Sequence, residues 1–437
     1  MSNNVQHICL SLSGGGHRAA LFGAGALLYL MDAGKGAELS CVSSVSGGSL
    51  TNAVAGLSSD LRTTEASAFR ERLRPLIQAC STKGTVWSAP LTIGYLSFGV
   101  LVVAIATYLC FPLSGWWPLL PWAVALVMLG FWARQRGWVA ERAFERSLFR
   151  GRPLSAMHNQ VDHVLCATDF QTAEPVYFSG RFLYSFRLGW GHPADLHVAR
   201  AVQASASLPG AFHSRRLSSA PFGFQHPNVV PQMLLTDGGV YDNMATEWPI
   251  RLDERLSENG APVPPPGRFD ELIVVNASAA KGVLNRQALD VPLFGEFTEL
   301  LAVKDVLYDQ STAVRRRLLD LRFRTGIGPQ GRAIRGTIVQ IDRSPTALPH
   351  SFANGTDAYA ERASAALAAL ALRSDQEWQA DADANRAVKT KLSKIKPDVA
   401  ARLMRHAYAL TMANAHVLLG YPLLTIPEPV SFIELTQ

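Results

Sequence analysis

The sequence predicts an α/β fold with a mostly parallel central sheet and helices on both of its faces, into which a hydrophobic helical hairpin is inserted. Three observations carry this prediction. Short apolar runs alternate with helical patterns, which is typical of a parallel sheet covered by helices. Glycine-containing turns follow three of these runs, at 14–16, 47–48 and 238–239. Residues 84–133 contain no Asp, Glu, Lys, Arg or His.

Two strand-helix units are predicted before the charge-free stretch. Residues 7–13 and 39–45 are short apolar runs, and helical patterns follow them at 18–31 and 50–57. Because strands of a parallel sheet are buried on both faces, such runs are apolar throughout rather than alternating. We therefore expect the turns that follow the two strands to lie at the same edge of the sheet.

The charge-free stretch holds two apolar runs, residues 91–113 and 116–132, which Ser114 and Gly115 separate. Each is close to the roughly 17–25 residues that a helix needs to cross a bilayer. Tryptophan and tyrosine cluster around the turn and near the outer ends, as at membrane interfaces. These features predict a membrane hairpin with a two-residue turn. A hairpin buried in a core or in an oligomer interface is the alternative, and Pro118 and Pro121 would suit a segment that is only partly inserted.

The charges around the hairpin predict its orientation. The flanks carry basic residues, whereas the turn carries no charge; the basic residues are Arg72, Arg74, Lys83, Arg134, Arg136 and Arg142. Short segments rich in arginine and lysine stay on the cytoplasmic side. We therefore expect a protein of the inner or an equivalent membrane, with its catalytic domain facing the cytoplasm.

Further strand and helix patterns follow the hairpin. Strands are predicted at 163–167, 175–179, 233–236, 272–276 and 337–341, with helices at 199–207 and from 358 onward, ending in one at 397–419. The expected division is a first part of the catalytic domain at 1–83, the hairpin at 84–136, a second part at 137–345 and a C-terminal helical region at 346–437.

Composition excludes several classes of protein. Lys and Arg exceed Asp and Glu by only 41 to 35, and the excess is scattered, so we expect no nucleic-acid partner. A mild positive charge suits an anionic membrane surface. The five cysteines lack the spacing of a zinc site, so neither a metal nor a cofactor is expected. The oligomeric state is left open.

Ser46 is the candidate nucleophile. It lies where the predicted strand 39–45 turns into a helix, and Gly47 and Gly48 follow it. A nucleophile elbow needs small residues around its serine because the turn brings the flanking backbones together. Position −2 is Ser44, where the usual pattern has glycine. A serine that only caps a helix is the alternative interpretation.

Gly14, Gly15 and Gly16 precede the first predicted helix, an arrangement that exposes backbone N–H groups at its positive end. No Gly-Lys-Ser/Thr follows, so a phosphate-binding loop of the Walker type is excluded. A dinucleotide site would need an acidic residue at the end of the second strand, where Ser46 lies instead. Donors at one strand end and a serine at the next predict an oxyanion hole that faces a nucleophile.

Asp237 stands in Thr-Asp-Gly-Gly directly after the apolar run 233–236. Asp-Gly is also a common turn signal, and this pattern by itself is weak. Its position at another strand end makes Asp237 a candidate base for Ser46, since a serine hydroxyl is a weak nucleophile until a base takes its proton.

These three motifs, in this order, resemble those of the patatin-like phospholipase family. The resemblance extends to residues 167–169, 204–212 and 307–311, and covers about 7–57 and 160–345, with the hairpin as an insertion. It implies a lipid acyl hydrolase with a Ser-Asp dyad. Mapped here, Ser46 matches the nucleophile, Asp237 the base, Gly14, Gly15 and Gly16 the oxyanion loop, and Arg18 the basic position of that loop.

The expected protein is thus a membrane-anchored serine hydrolase of phospholipase A or lysophospholipase type, acting on membrane phospholipid or another acyl lipid. An acyltransferase with the same site and a catalytically inactive membrane scaffold are the alternatives. No histidine has a position that requires a catalytic role; His17, beside the glycine turn, is expected to be solvated or to face the substrate.

Overall fold

The computed structural model of the chain describes residues 7–260, 262, 264–278, 294–326 and 333–437, without the side chains of 294–302, 304 and 305. One sheet of ten strands runs through this part of the chain. The strands are β1 (Ile8–Leu12), β2 (Leu39–Val45), β3 (Asp162–Asp169), β4 (Glu174–Phe178), β5 (Leu183–Ser185), β6 (Gly189–Gly191), β7 (Arg215–Ser218), β8 (Gln232–Asp237), β9 (Glu271–Asn276) and β10 (Arg335–Gln340).

The centre of the sheet is parallel, in the order β10-β9-β1-β2-β3. This confirms the predicted fold class. Beyond β3 the strands are antiparallel: β4, β5 and β6 continue the sheet, and β8, paired with β7, also joins β3. β5, β6 and β7 were not predicted from the sequence, because strands of three or four residues are too short to show a clear alternation.

Helices cover both faces of the sheet. Ile8, Leu10 and Leu12 of β1 pack with α1 and the C-terminal helices, whereas Cys9 faces the core that contains Trp248. The helices are α1 (Gly16–Asp32), α2 (Gly47–Ser58), α3 (Ala66–Gln78), α4 (Pro90–Cys110), α5 (Leu119–Arg134), α6 (Arg136–Phe144), α7 (Val198–Ser205), α8 (Gly239–Asp242), α9 (Glu247–Ile250), α10 (Leu252–Asn259), α11 (Phe294–Thr325), α12 (Ala347–Phe352), α13 (Ala358–Leu370), α14 (Asp375–Arg386), α15 (Pro397–Leu419) and α16 (Pro429–Glu434).

The C-terminal helix α15 packs against α1, the helix that follows the glycine turn. Tyr29 of α1 and Tyr408 of α15 are both buried, and their rings meet edge to face at 5.5 Å. Aromatic pairs in this geometry contribute about 0.5–1.5 kcal/mol beyond their buried area. Because α15 is docked in this way, the segment between α14 and α15 is brought to the N-terminus of α1.

Helices α4 and α5 form the predicted hairpin. Tyr95 and Trp132 stack at 4.6 Å near its base, and each side chain donates a hydrogen bond of 2.8 Å to the other's carbonyl. The predicted two-residue turn is wrong, because α4 ends at Cys110 and α5 begins only at Leu119. Pro118 explains the later start, since the residue before a proline is disfavoured in helical conformation.

Candidate active site

Ser46 occupies a strained turn between β2 and α2. Its backbone has φ 51° and ψ −118°, a conformation that is costly for a residue with a side chain. A Cβ on Gly47 would lie 2.0 Å from the carbonyl oxygen of Gly16, so only glycine allows the two turns to approach this closely. This is the backbone of a nucleophile elbow, in which strain keeps a serine hydroxyl at the tip of the sheet.

Ser44, which stands two positions before Ser46 where the usual elbow pattern has glycine, belongs to a buried polar network. Its hydroxyl bonds to Ser49 at 3.1 Å and accepts from the amide of Asn52 at 2.9 Å. Asn52 in turn contacts Nδ1 of His163 at 2.7 Å, and burial lowers the pKa of this imidazole to about 3, which keeps it neutral. Ser49 extends the network to the hydroxyl of Ser205 at 2.9 Å. Hydrogen bonds, rather than apolar packing alone, therefore position the serine turn.

The register of β3 brings the ends of β2 and β8 together. Val45 of β2 pairs with Cys166, and Asp237 of β8 pairs with Ala167, the next residue of β3. Because β4 occupies the other edge of β3, β2 and β8 share one edge and approach each other from opposite directions. Ser46 directly follows β2, and Asp237 is the last residue of β8. The two strands therefore end at neighbouring residues of β3, about 3.3 Å apart along that strand.

Ser205 joins the serine turn to the aspartate turn. Its carbonyl accepts hydrogen bonds of 3.2 Å from the N–H of Ser46 and of Gly238, and its hydroxyl also accepts from the N–H of Ser46 at 3.0 Å. Asp237 is 2% exposed, and its Oδ1 accepts from the N–H of Gly239 at 2.7 Å. One residue of α7 therefore sets the relative position of the candidate nucleophile and the candidate base.

The glycine turn runs directly beside Ser46. A Cβ on Gly14 would lie 3.3 Å from the Cβ of Ser46. The N–H of Gly14 donates to the carbonyl of Asn243 at 3.0 Å, whereas among the described residues no hydrogen bond engages the N–H of Gly15 or Gly16. The two donors that remain for an oxyanion at this turn therefore come from Gly15 and Gly16, and Gly14 lines the site without donating.

Arg18 and His17, the first polar side chains of α1, differ in their relation to the site. Arg18 is 4% exposed, and its Nη1 donates to the carbonyl of Val388 at 2.6 Å. Burial lowers its pKa to about 10, so it stays charged at neutral pH. Its Nε has no hydrogen-bond partner among the described residues.

The expectation that His17 is solvated or faces the substrate is wrong, because its ring is fully buried. Nδ1 lies 2.9 Å from the carbonyl of Ser393, and Nε2 lies 2.7 Å from Oγ1 of Thr85. Burial lowers the pKa of His17 to about 4, so the ring is neutral at physiological pH. Because a carbonyl only accepts, Nδ1 carries the proton, and His17 ties α1 to two distant segments.

One cavity of about 680 Å³ contains all six residues singled out in the sequence. These are Gly14, Gly15, Gly16, Arg18, Ser46 and Asp237. The volume is in the range of small-ligand sites. Its lining also includes residues that were not predicted to belong to the site: Trp87, Ala206, Leu208, Ala211, Phe212, Asn243, Ser278, Tyr308, Asp309 and residues 386–392.

At one edge of the mostly parallel sheet, a glycine turn, a strained serine turn and an aspartate turn surround one cavity of this α/β protein. The chain belongs to the patatin-like phospholipase family, whose model matches residues 10–248. Membership of this family supports lipid acyl hydrolase activity. The hairpin lies within the matched range, whereas residues 386–392 lie outside it.

Two solved structures are remotely similar. Human GIVD cytosolic phospholipase A2 is 13% identical over 64% of this chain and 47% of its own, with a TM-score of 0.35. VipD from Legionella pneumophila is 12% identical over 99% of this chain and 90% of its own, with a TM-score of 0.22. This chain thus spans about half the length of the human enzyme. No curated protein sequence matches it significantly.

Proposed function

We propose that the chain is a serine-dependent lipid acyl hydrolase of phospholipase A or lysophospholipase type, in which Ser46 and Asp237 form a catalytic dyad. The observation that carries this proposal is the meeting of β2 and β8 on one edge of β3, with both side chains in the same cavity. Family membership supports the reaction class.

In the proposed reaction Asp237 takes the proton of the Ser46 hydroxyl while Ser46 Oγ attacks the ester carbonyl. The N–H groups of Gly15 and Gly16 stabilise the oxyanion, and one such donor typically contributes about 10²–10³ in rate. The positive charge of Arg18 acts in the same direction. Asp237 returns its proton to the departing alcohol, then takes one from water as that water attacks the acyl-enzyme. Asp237 then gives this proton to Ser46 Oγ as the acyl–oxygen bond breaks, so fatty acid leaves and the Ser46 hydroxyl is restored.

Product analysis tests this assignment. We expect the purified full-length protein to convert a phospholipid into fatty acid and lysophospholipid, or a lysophospholipid into fatty acid and the water-soluble glycerophosphodiester, with water as the acceptor. An added lysolipid or alcohol should remain unacylated. Transfer of most of the acyl groups to that acceptor would instead identify an acyltransferase, and no acyl release from any lipid ester would overturn the proposal.

We further propose that α4 and α5 anchor the enzyme in a membrane. α4 is long and apolar enough to cross a bilayer, and only 17% of its most apolar window is buried. Its length of 21 residues corresponds to about 31 Å of helix. At the tip, Phe111 is 82% and Trp116 84% exposed. Insertion of the tip into lipid would remove this apolar surface from water, which is favourable. The hairpin would then interrupt one catalytic domain formed by 1–83 and 137–345, followed by the helical region 346–437.

The base of the hairpin borders the cavity, which supports delivery of lipid from the bilayer. Trp87, just before α4, lines the cavity directly. On the other leg, Nη1 of Arg136 donates to the carbonyl of Gly210 at 3.0 Å, next to the lining residues Ala211 and Phe212. Arg134 and Arg136 at this base suit an anionic cytoplasmic surface, so we propose that the catalytic domain faces the cytoplasm.

Removing the distal hairpin should release the enzyme from membranes without destroying its site. Residues 96–131 can be replaced by a short Gly-Ser linker because Tyr95 and Trp132, which are stacked, bring the two cut ends together. We expect the variant in the soluble fraction after a carbonate wash, with unchanged hydrolysis of a water-soluble short-chain ester. Hydrolysis of vesicle lipid should fall at least about tenfold, because the local lipid concentration is lost.

The wild-type protein, washed in parallel, provides the matched control for the hairpin variant. Retention of the shortened protein in washed membranes would contradict the anchoring role. Loss of the short-chain activity together with a lower Tm would mean that the hairpin stabilises the fold instead.

A further inference from the structure

A segment outside the region matched by the family, which runs from the last residue of α14 towards α15 (residues 386–393), covers one side of the cavity; we call it the strap. Its backbone is held against the N-terminus of α1 by three hydrogen bonds. The carbonyl of Lys391 accepts from the N–H of His17 at 3.0 Å, that of Val388 from Arg18 at 2.6 Å, and that of Ser393 from His17 Nδ1 at 2.9 Å.

Packing holds the strap as closely as these hydrogen bonds do. A Cβ on Gly16 would lie 2.6 Å from the carbonyl oxygen of Lys391, so the approach of the strap requires glycine at that position. Leu392 is buried in the main hydrophobic core. The strap is thus a pre-organised wall rather than a free loop, because its attachment uses backbone groups and an apolar anchor.

The attachment leaves the cationic side chains of the strap exposed. Arg386, Lys389 and Lys391 line the cavity and are exposed, and among the described residues no hydrogen bond or ion pair engages their side chains. Four of the eight lysines of the chain lie between 389 and 396, so the positive charge is concentrated here although the chain as a whole is only mildly basic. A surface that only contacts solvent would not require lysines to be concentrated beside the cavity.

The lining of the cavity combines two chemistries. Trp87, Leu208, Ala211 and Phe212 provide apolar area, and the strap provides positive charge. Ser46 and Arg18 belong to the same cavity. An acyl lipid has the matching parts: a hydrocarbon chain, an ester for Ser46, and a phosphate joined to the glycerol a few bonds from that ester.

We propose that the strap binds the phosphate of an anionic phospholipid head group, so that the enzyme hydrolyses phospholipids of net negative charge in preference to zwitterionic ones. The inference rests on the proposed function of Ser46 and Asp237. A choline head group places an ammonium beside the phosphate, which the lysines repel, whereas a glycerol head group leaves the phosphate charge uncompensated. The choice is therefore electrostatic and is weakened by salt.

The test uses dihexanoyl-phosphatidylglycerol and dihexanoyl-phosphatidylcholine below their critical micelle concentrations. Both lipids are then monomeric, and attraction of the whole protein to a charged bilayer does not contribute. The full-length protein is compared with Lys389→Gln/Lys391→Gln and with a matched control, Lys394→Gln/Lys396→Gln. The control removes the same charge directly after the strap, at exposed positions that do not line the cavity.

We expect the wild type to prefer the glycerol lipid in kcat/KM, and the Lys389/Lys391 variant to lose roughly four- to 25-fold of that preference, since an exposed ion pair contributes about two- to fivefold. The loss should appear in KM for the anionic lipid. The control variant should keep the preference of the wild type, and added NaCl should reduce it.

Equal kcat/KM for the two lipids in the wild type would overturn the proposal, as would an equal loss of preference in the two double variants. In either case hydrolysis itself would still stand. Absence of hydrolysis of both lipids, with a folded protein, would instead count against the proposed function of Ser46 and Asp237, so the two failures are distinguishable.

Discussion

Replacing Ser46 by alanine is expected to reduce lipid ester hydrolysis by at least about 10⁴-fold, because no other group would form the acyl-enzyme. In a serine hydrolase, loss of the nucleophile alone costs nearly as much as loss of the whole catalytic set. The change removes one oxygen atom from a position that donates no side-chain hydrogen bond to the scaffold among the described contacts. Stability should therefore change little, and kcat should carry the loss.

A fluorophosphonate probe provides the direct measurement. The wild type should be labelled at Ser46 and the Ser46→Ala protein should not. Ser44→Ala serves as the matched control, because Ser44 is a buried serine two residues earlier on β2 that does not line the cavity. It should still be labelled, with a loss of stability of about 1–3 kcal/mol from the broken network. Labelling of Ser46→Ala at wild-type rate would rule out Ser46 as the nucleophile.

Replacing Asp237 by asparagine is expected to lower kcat by about 10³–10⁴-fold with a small effect on KM. Asparagine keeps the size of the side chain and an oxygen that accepts from the N–H of Gly239. It cannot take a proton from Ser46, so the loss reports the base rather than the fold. Fluorophosphonate labelling of Ser46 should slow in parallel, since it depends on the same activation.

Asp309 supplies the control for this experiment, because it is a second carboxylate in the lining of the cavity. It is exposed on α11, whereas Asp237 is buried at the end of β8. Asp309→Asn should retain most of the activity. If Asp309→Asn were inactive and Asp237→Asn active, the dyad would have to be reassigned.

The directions of the strands explain how the sheet brings Ser46 and Asp237 to neighbouring positions. In a wholly parallel sheet, β2 and β8 would have to pair with opposite edges of β3, which would separate Ser46 from Asp237. Here β8 runs antiparallel and replaces β2 on the same edge from Ala167 onward. The carbonyl of Ser205 then joins both turns. The antiparallel strands beyond β3 are thus the feature of the fold on which the proposed dyad depends.

Much of the fold was predictable because its strands are buried on both faces and its turns carry glycine. The predicted strand at 39–45 and the predicted helix at 397–419 coincide with β2 and α15. The hairpin was visible from the absence of charge alone. The length of its connection was predicted wrongly, because apolar composition does not show where a helix ends and the connecting segment begins.

The side-chain environments were less predictable than the elements. His17 stands beside the glycine turn in the chain, and its neighbours in sequence suggested contact with solvent or substrate. Thr85 and Ser393, which bury it, lie 68 and 376 residues away. Similarly, the N–H of Gly14, in the predicted oxyanion loop, donates to the carbonyl of Asn243, which lies more than 200 residues further along the chain. No local pattern records such partners.

The amino-acid sequence by itself determined the class of sheet and the charge-free hairpin, because local periodicity and the backbone requirements of glycine are written in adjacent positions. The six residues that line one cavity were predicted from these turns together with the resemblance to the patatin-like family. Only the tertiary structure decided that β8 runs along the same edge of β3 as β2, and that a lysine-rich strap covers the glycine turn. The first depends on the pairing of β3 with β8, whose partner residues lie 66–70 positions apart, and the second on the packing of α15 against α1. Neither contact is recorded in a local pattern of residues.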